Sequence, residues 1–291
     1  MPSPNPQAPV LSACEWIFAG EPLPAVLQRL TTAGCSGIEI SGEPDRADRA
    51  RLAGDLAAAG MRATGITAVC SAPTDQRDLS HEDAAARRRA VRYYHGCIDL
   101  AVDVGAPVVG LIPAAIGRFD GSVTDSWARA VDAARAVADY ADERGVALGV
   151  EAVNRYESFL VNTAGDALSF AAELGSRSAG VILDAFHMQL EERDSVAALA
   201  TALPRLRALH LADSNRLGLG HGQLDFAALL RAAVAGGYGG PFVFEFTAPG
   251  PNPFQPDKGA AAMRELDVYA RESVAAVTAA LNVMPWSADR S

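Results

Sequence analysis

Eight short apolar runs recur along the chain, each followed by a longer amphipathic stretch, and this alternation restricts the possible folds more than any other feature. The runs are VLSACEW (10–16), GIEIS (37–41), ATGITAV (63–69), PVVGLIP (107–113), ALGVEAV (147–153), GVILDAF (180–186), LRALHLAD (206–213) and PFVFEFT (241–247). Helices are predicted between and after them near 23–34, 46–60, 83–105, 124–145, 163–175, 194–203, 225–237 and 260–281. Several of these segments close on a helix-stopping glycine, as in TTAGCSG and DERGVAL, and others open on a capping residue, as in SHEDAAARRRA. Strands that alternate with helices in this way form parallel sheets with crossover helices.

Two architectures satisfy that order. An open doubly wound sheet normally carries a glycine-rich phosphate loop after its first strand, but here the first strand runs into CEWIFAGEP, and GLGHG at 218–222 does not lie between a strand and a helix. Eight β/α units in 291 residues instead match a single-domain (β/α)8 TIM barrel. The barrel is expected over 10–282, with loose tails at 1–9 and 283–291. The Pro/Gly-rich TAPGPNPFQPDKG (247–259) is expected as a rim element over the barrel mouth.

Charge and residue usage remove several classes of function. A net charge of −10 opposes binding to nucleic acid or an anionic membrane surface. Lys258 is the only lysine, which disfavours Schiff-base and pyridoxal phosphate chemistry. Cys14, Cys35, Cys70 and Cys97 have neither a C-x-x-C nor a zinc-finger spacing and are expected as reduced thiols of a cytoplasmic protein. The start MPSPNPQAP lacks the pattern of a signal peptide, and no apolar run reaches the ~18 residues a membrane span needs.

In a barrel of this type the chemistry lies at the C-terminal ends of the strands. Each of the last four runs carries an ionisable residue: Glu151 in the fifth, Asp184 in the sixth with His187 three residues on, His210 in the seventh and Glu245 in the eighth. Taken singly, a strand-end glutamate is more often a salt-bridged rim residue, His210 a hydrogen-bonded core histidine, and Asp184 the cap of the next segment. Four on consecutive strands point instead to convergence on one point. Three carboxylates and an imidazole form a mainly hard-oxygen set, suited to one divalent ion, Mn²⁺ first and Co²⁺ or Mg²⁺ as alternatives. Such an ion also explains why a carboxylate ends an apolar strand.

This constellation resembles the xylose-isomerase-like barrel superfamily, and within it the ketose 3-epimerases typified by D-tagatose 3-epimerase, most clearly over 147–247. The resemblance implies that Glu151, Asp184, His210 and Glu245 are the metal ligands. It implies that Glu151 and Glu245 also act as the catalytic acid and base on opposite sides of the substrate. Glu157, the second glutamate of E-x5-E, His187 of D-x-x-H, and Arg216 of HLADSNR correspond to substrate-binding positions. A small-molecule sugar substrate and a homo-oligomeric state, dimer or tetramer, are further implications.

Alternatives stay open at this level. Glu157 is equally consistent with a solvated loop carboxylate, and Arg216 with a partner of Asp213. His221, His81 and His95 are given no role, and Trp16 and Phe18 fit core packing as well as a sugar face. The same metal site serves aldose–ketose isomerases and lyases or dehydratases of keto-sugars or keto-inositols. A repair endonuclease on this fold would need more than the five histidines present. A barrel used only as a binding subunit would have no reason to keep the seven-residue set.

Overall fold

The computed structural model describes residues 9–70, 76–118, 122–250, 252, 254 and 258–282. The strands are β1 (Leu11–Ala13), β2 (Gly37–Gly42), β3 (Arg62–Ala68), β4 (Val108–Leu111), β5 (Ala147–Glu151), β6 (Ala179–Asp184), β7 (Leu206–Leu211) and β8 (Phe242–Phe244). The helices are α1 (Leu23–Ala33), α2 (Leu52–Ala59), α3 (Ala84–Val104), α4 (Val123–Arg144), α5 (Ala164–Glu173), α6 (Ala185–Glu191), α7 (Ser195–Ala202), α8 (Phe226–Ala235) and α9 (Gly259–Asn282).

All strands run parallel in the order β1-β8-β7-β6-β5-β4-β3-β2, and a parallel bridge between Cys14 and Glu39 brings β1 back to β2. The sheet is thus a barrel, as the alternation predicts. Its strands are buried nearly throughout, because side chains of one face fill the barrel and those of the other meet the surrounding helices. The expected tails at 1–9 and 283–291 lie outside the described residues, apart from Pro9.

Local signals set the element ends. Asp83, Ser122, Asp194 and Asp225 each cap a helix through the side chain, and Thr163 with Asp166 forms a reciprocal capping box on α5. Each such cap contributes about 1 kcal/mol. Gly34, Gly60, Gly105 and Gly145 end α1 to α4 in the left-handed conformation.

Most strands are a few residues shorter than their apolar runs, and two of these differences bear on the site. The run beginning at Val10 stops as a strand at Ala13, and Glu15–Phe18 coils into a 3-10 turn. Glu15 anchors that turn by accepting the forked guanidinium of Arg46 at 2.7 and 2.8 Å and the Ser41 amide at 2.8 Å. The sixth run ends at Asp184 rather than Phe186. Asp184 Oδ1 accepts the Phe186 amide at 2.8 Å and starts α6, a helix hidden in the sequence because Ala185, Phe186 and Met188 continue the apolar pattern.

Two register shifts prepare the barrel mouth. β2 slips against β3 so that Glu39 lies opposite Gly65, and β6 slips against β7 so that Asp184 lies opposite His210. One extra residue in a strand redirects all side chains beyond it, and such bulges are common beside functional sites.

Candidate active site

Glu151 and Asp184 are the last residues of β5 and β6, His210 is next to last in β7, and Glu245 directly follows β8. All four side chains are buried at the same end of the barrel. His210 Nδ1 lies 3.0 Å from Glu245 Oε2 and 3.6 Å from Glu151 Oε1. Ligand atoms of Glu151, His210 and Glu245 fall within 4.8 Å of one another, as do those of Glu151, Asp184 and His187. Glu151 belongs to both groups and joins them into one cluster.

The electrostatics of this cluster are those of an anionic site short of positive charge. Burial, then the neighbouring Glu245 carboxylate, pushes Glu151 well above the usual carboxylate range. The same two causes push Asp184 up to about 7. Burial also disfavours charge on Glu245, but the His210 ring and then Arg216 outweigh it and hold that carboxyl low. Burial opposes a proton on His210, yet Glu39 and Glu245, one at each ring nitrogen, raise its pKa well above normal.

A divalent cation fits these residues on one specific ground. Asp184 Oδ2 is fully buried and has no hydrogen-bond partner, while Oδ1 is used by the helix cap. Capping and a free oxygen aimed into the site therefore coexist in one carboxylate. With Arg216 Nη2 no nearer than 4.0 Å, an anion that accepts no hydrogen bond beside two other carboxylates is costly unless a closer cation or a proton joins it. The set of carboxylate oxygens and one imidazole nitrogen matches a hard or borderline ion rather than a thiophilic one.

His187, Arg216 and Glu157 form the outer wall. Asn154 sets the histidine tautomer: its Oδ1 accepts the Tyr156 amide at 3.0 Å, so its Nδ2 is the atom 2.7 Å from His187 Nδ1 and 3.0 Å from Glu157 Oε1. The Asn154 backbone amide also points at Nδ1, at 3.3 Å. The two Asn154 donors make Nδ1 the acceptor and leave the hydrogen on Nε2, which lies 3.6 Å from Asp184 Oδ2 and 3.3 Å from Arg216 Nη1, a donor-only group with which it makes no hydrogen bond in this tautomer. Burial and then Arg216 hold the His187 pKa well below normal, so the ring stays neutral.

Arg216 reaches Glu157 Oε1 at 3.4 Å through Nη1 and Glu245 Oε2 at 3.5 Å through Nη2. Its guanidinium lies 4.9 Å from the Phe186 ring centre, and its Nε has no partner. It does not pair with Asp213, whose carboxylate instead accepts the amides of Ser214, Gly220 and Leu224 and folds the loop after β7. Arg216 is the only non-glycine residue with positive φ among those described, at 59°, a backbone strain of the kind that collects at functional sites. A cavity of about 410 Å³ opens above it, lined by Glu157, Phe186, Leu217, Thr247 and Phe254 among others. The described part of 247–259 is thus a rim element, as expected.

Three further residues outside the predicted site set face the cluster. Trp16 Nε1 donates to Glu245 Oε1 at 2.9 Å, and its ring stacks on Phe254 at 5.8 Å. Its neighbour Phe18 is buried in the core. Asn154 is the second, and Glu39, 3.4 Å from His210 Nε2, is the third. His221 pairs with Glu272 at the surface, away from the cluster. Cys14, Cys35, Cys70 and Cys97 are free and buried.

A sequence model of the xylose isomerase-like TIM barrel family matches residues 27–266. An L-ribulose 3-epimerase of Mesorhizobium japonicum is 35% identical over 226 residues, covering 77% of this chain and 75% of its own. A ketose 3-epimerase of Arthrobacter globiformis is 33% identical over 174 residues, 59% of this chain and 60% of its own. Among solved structures, one of an L-ribulose 3-epimerase superposes with a TM-score of 0.82 at 29% identity, covering 94% of this chain and 95% of the other. No helix among the described residues is long and apolar enough to cross a membrane.

Proposed function

We propose that this chain, which belongs to the xylose isomerase-like TIM barrel family, is a divalent-metal-dependent ketose 3-epimerase acting on an unphosphorylated sugar. The observation that carries the reading is the buried cluster in which Glu151 links His210 and Glu245 to Asp184 and His187, with Asp184 Oδ2 accepting no hydrogen bond. Relatives that are L-ribulose and ketose 3-epimerases support the reaction class. Glu151, Asp184, His210 and Glu245 would hold the ion, Mn²⁺ by preference and Co²⁺ or Mg²⁺ otherwise. When bound, the ion supplies Lewis-acid stabilisation of the negative charge that develops on the sugar's carbon 2 oxygen.

The protein's own groups perform the proton transfers. One of Glu151 and Glu245 removes the carbon 3 proton, whose bonding pair becomes the carbon 2–carbon 3 double bond of an enediolate. The other returns a proton to carbon 3 from the opposite face, and the configuration of the sugar decides which glutamate begins. The Nε2 hydrogen of neutral His187 and the guanidinium of Arg216 face the same space, placed to stabilise charge on the carbon 2 oxygen. Glu157, held by Asn154 and Arg216 at the cavity wall, is placed for a hydroxyl farther along the sugar. Buried free cysteines support a reducing compartment such as the cytoplasm.

The test is incubation of the Mn²⁺-loaded protein with ketopentoses and ketohexoses in deuterated water. Deuterium at carbon 3 of a recovered epimer is expected. Label at carbon 1 alone would make the enzyme an aldose–ketose isomerase, and loss of water without an epimer would make it a dehydratase; either outcome defeats the proposal.

A further inference from the structure

Glu39 lies outside the four-ligand set, yet the barrel is shaped around it. It sits in the middle of β2, 1% exposed, with Thr67 Oγ1 donating to its Oε2 at 2.8 Å and Cys14 Sγ at 3.7 Å from the same oxygen. The register shift between Ile38 and Glu39 sets it opposite Gly65 rather than Thr64. A Cβ on Gly65 would lie 2.8 Å from Glu39 Oε1 and 3.2 Å from its Cδ, so any side chain there would push the carboxylate from this position. A carboxylate enclosed this completely is retained at a cost and needs strong donors.

The donor that matters is His210. Its Nε2 is 3.4 Å from Glu39, while Nδ1 on the other side of the ring faces Glu245 at 3.0 Å and Glu151 at 3.6 Å. A histidine that ligates through one nitrogen must carry its hydrogen on the other, and the acceptor of that hydrogen fixes both the tautomer and the ring plane. We propose that Glu39 is a positioning residue: it accepts the Nε2 hydrogen of His210 and so presents a bare Nδ1 toward Glu151 and Glu245, where the divalent ion of the proposed reaction would be held. This rests on that metal reading and extends it to a residue from the opposite half of the barrel. Gly65 and the β2–β3 bulge then serve the same end, since they hold the space for the carboxylate.

The experiment compares the metal-free full-length chain with Glu39→Gln, Glu39→Ala and Gly65→Ala, titrating each with Mn²⁺ by calorimetry at one pH. Affinity is expected to fall roughly 10- to 100-fold in Glu39→Ala and by a smaller factor in Glu39→Gln, whose amide oxygen can still accept. Gly65→Ala should weaken binding without any change to Glu39 itself. In the Mg²⁺-loaded parent, nitrogen-15 NMR should show the His210 hydrogen on Nε2, and in Glu39→Ala a mixture of tautomers. Circular dichroism of the metal-free forms checks folding, and the near-isosteric Gln variant decides if the Ala variant is unfolded. Parent-like affinity in both Glu39 variants, or a hydrogen on Nδ1 in the loaded parent, overturns the inference alone. Two ions per parent chain falling to one in the variants also overturn it, because Glu39 would then be a ligand. A parent that binds no divalent ion overturns the metal reading itself.

Discussion

The side-chain amide of Asn154 lies 2.7 Å from Nδ1 of His187, and with the orientation of that amide fixed by Tyr156 it makes Nδ1 the acceptor and Nε2 the nitrogen with the hydrogen, against the Arg216 Nη1 donor 3.3 Å from Nε2. Asn154→Ala removes this donor while leaving the four carboxylate and imidazole groups of the metal cluster untouched. A lost hydrogen bond of about 1–1.5 kcal/mol predicts a kcat/KM lower by roughly tenfold. Mn²⁺ affinity should not change. Steady-state kinetics beside a metal titration checks both halves, and an equal loss in each would show that Asn154 supports the cluster as a whole.

Arg216 spans Glu157 and Glu245 with its two terminal nitrogens, at 3.4 and 3.5 Å. Lysine keeps the charge but cannot reach two carboxylates with one planar fork. Arg216→Lys is therefore expected to lower kcat/KM by on the order of 100-fold, a transition-state loss of about 2.7 kcal/mol. Arg216→Ala should do worse and also destabilise the fold, by about 3–5 kcal/mol, since it leaves buried carboxylates uncompensated. Kinetics and urea unfolding measured on both variants separate the two effects.

Metal-free protein should respond to pH in a specific direction. Asp184 has an ordinary value of 3.8 and is pushed up to about 7 in the fold. Between those values the folded state holds a proton that the unfolded chain has released, so the Asp184 contribution to stability falls as pH rises through that window and levels off above it. Glu151 and His210, also raised, act in the same sense, whereas His187, held low, acts in the opposite sense below its ordinary value. Saturating Mn²⁺ should flatten the slope, because the ion replaces the proton, and at about 100 times its Kd it should add roughly 2.7 kcal/mol. Urea unfolding of the parent and of Asp184→Asn at pH 5 and pH 8, with and without Mn²⁺, isolates the Asp184 share; a metal-free parent that loses no more stability toward pH 8 than the variant would contradict the assignment.

What was legible in the sequence follows a simple physical rule. Glu151, Asp184, His210 and Glu245 stood out because each interrupts an apolar β-run near its C-terminal end, and the barrel gathers those ends. Glu39 gives the same signal in GIEIS, but it lies mid-strand, where a sequence does not reveal that a bulge and a facing glycine make room for it. Asn154 and Trp16 lie beyond strand ends, and their weight comes from contacts at separations of 33 and 229 positions, which no local pattern encodes. Asp184 looked like either a cap or a ligand, and the fold gives one of its oxygens to each purpose. Residues 71–75 and 119–121 lie outside the described residues.

Asp184 provides the sharpest opposition between function and stability. In Asp184→Asn, the amide oxygen can still accept the Phe186 amide that Oδ1 accepts at 2.8 Å, so the start of α6 should persist. The amide nitrogen would occupy the position of Oδ2, which accepts no hydrogen bond, and place a neutral donor beside Glu151 and Glu245 instead of another anion, a gain that outweighs the loss of the Arg216 contact at 4.0 Å and the approach to the His187 Nε2 hydrogen. Metal-free Asp184→Asn is therefore expected to be more stable than the parent at pH 8, by about 1 kcal/mol or more, and to show a weaker fall in stability between pH 4 and pH 7. Mn²⁺ binding and epimerisation should both be lost, since an amide nitrogen cannot ligate the ion. An ordinary structural aspartate would behave oppositely, losing stability on neutralisation and leaving metal affinity intact, so paired melting curves and a Mn²⁺ titration of this one variant distinguish the two.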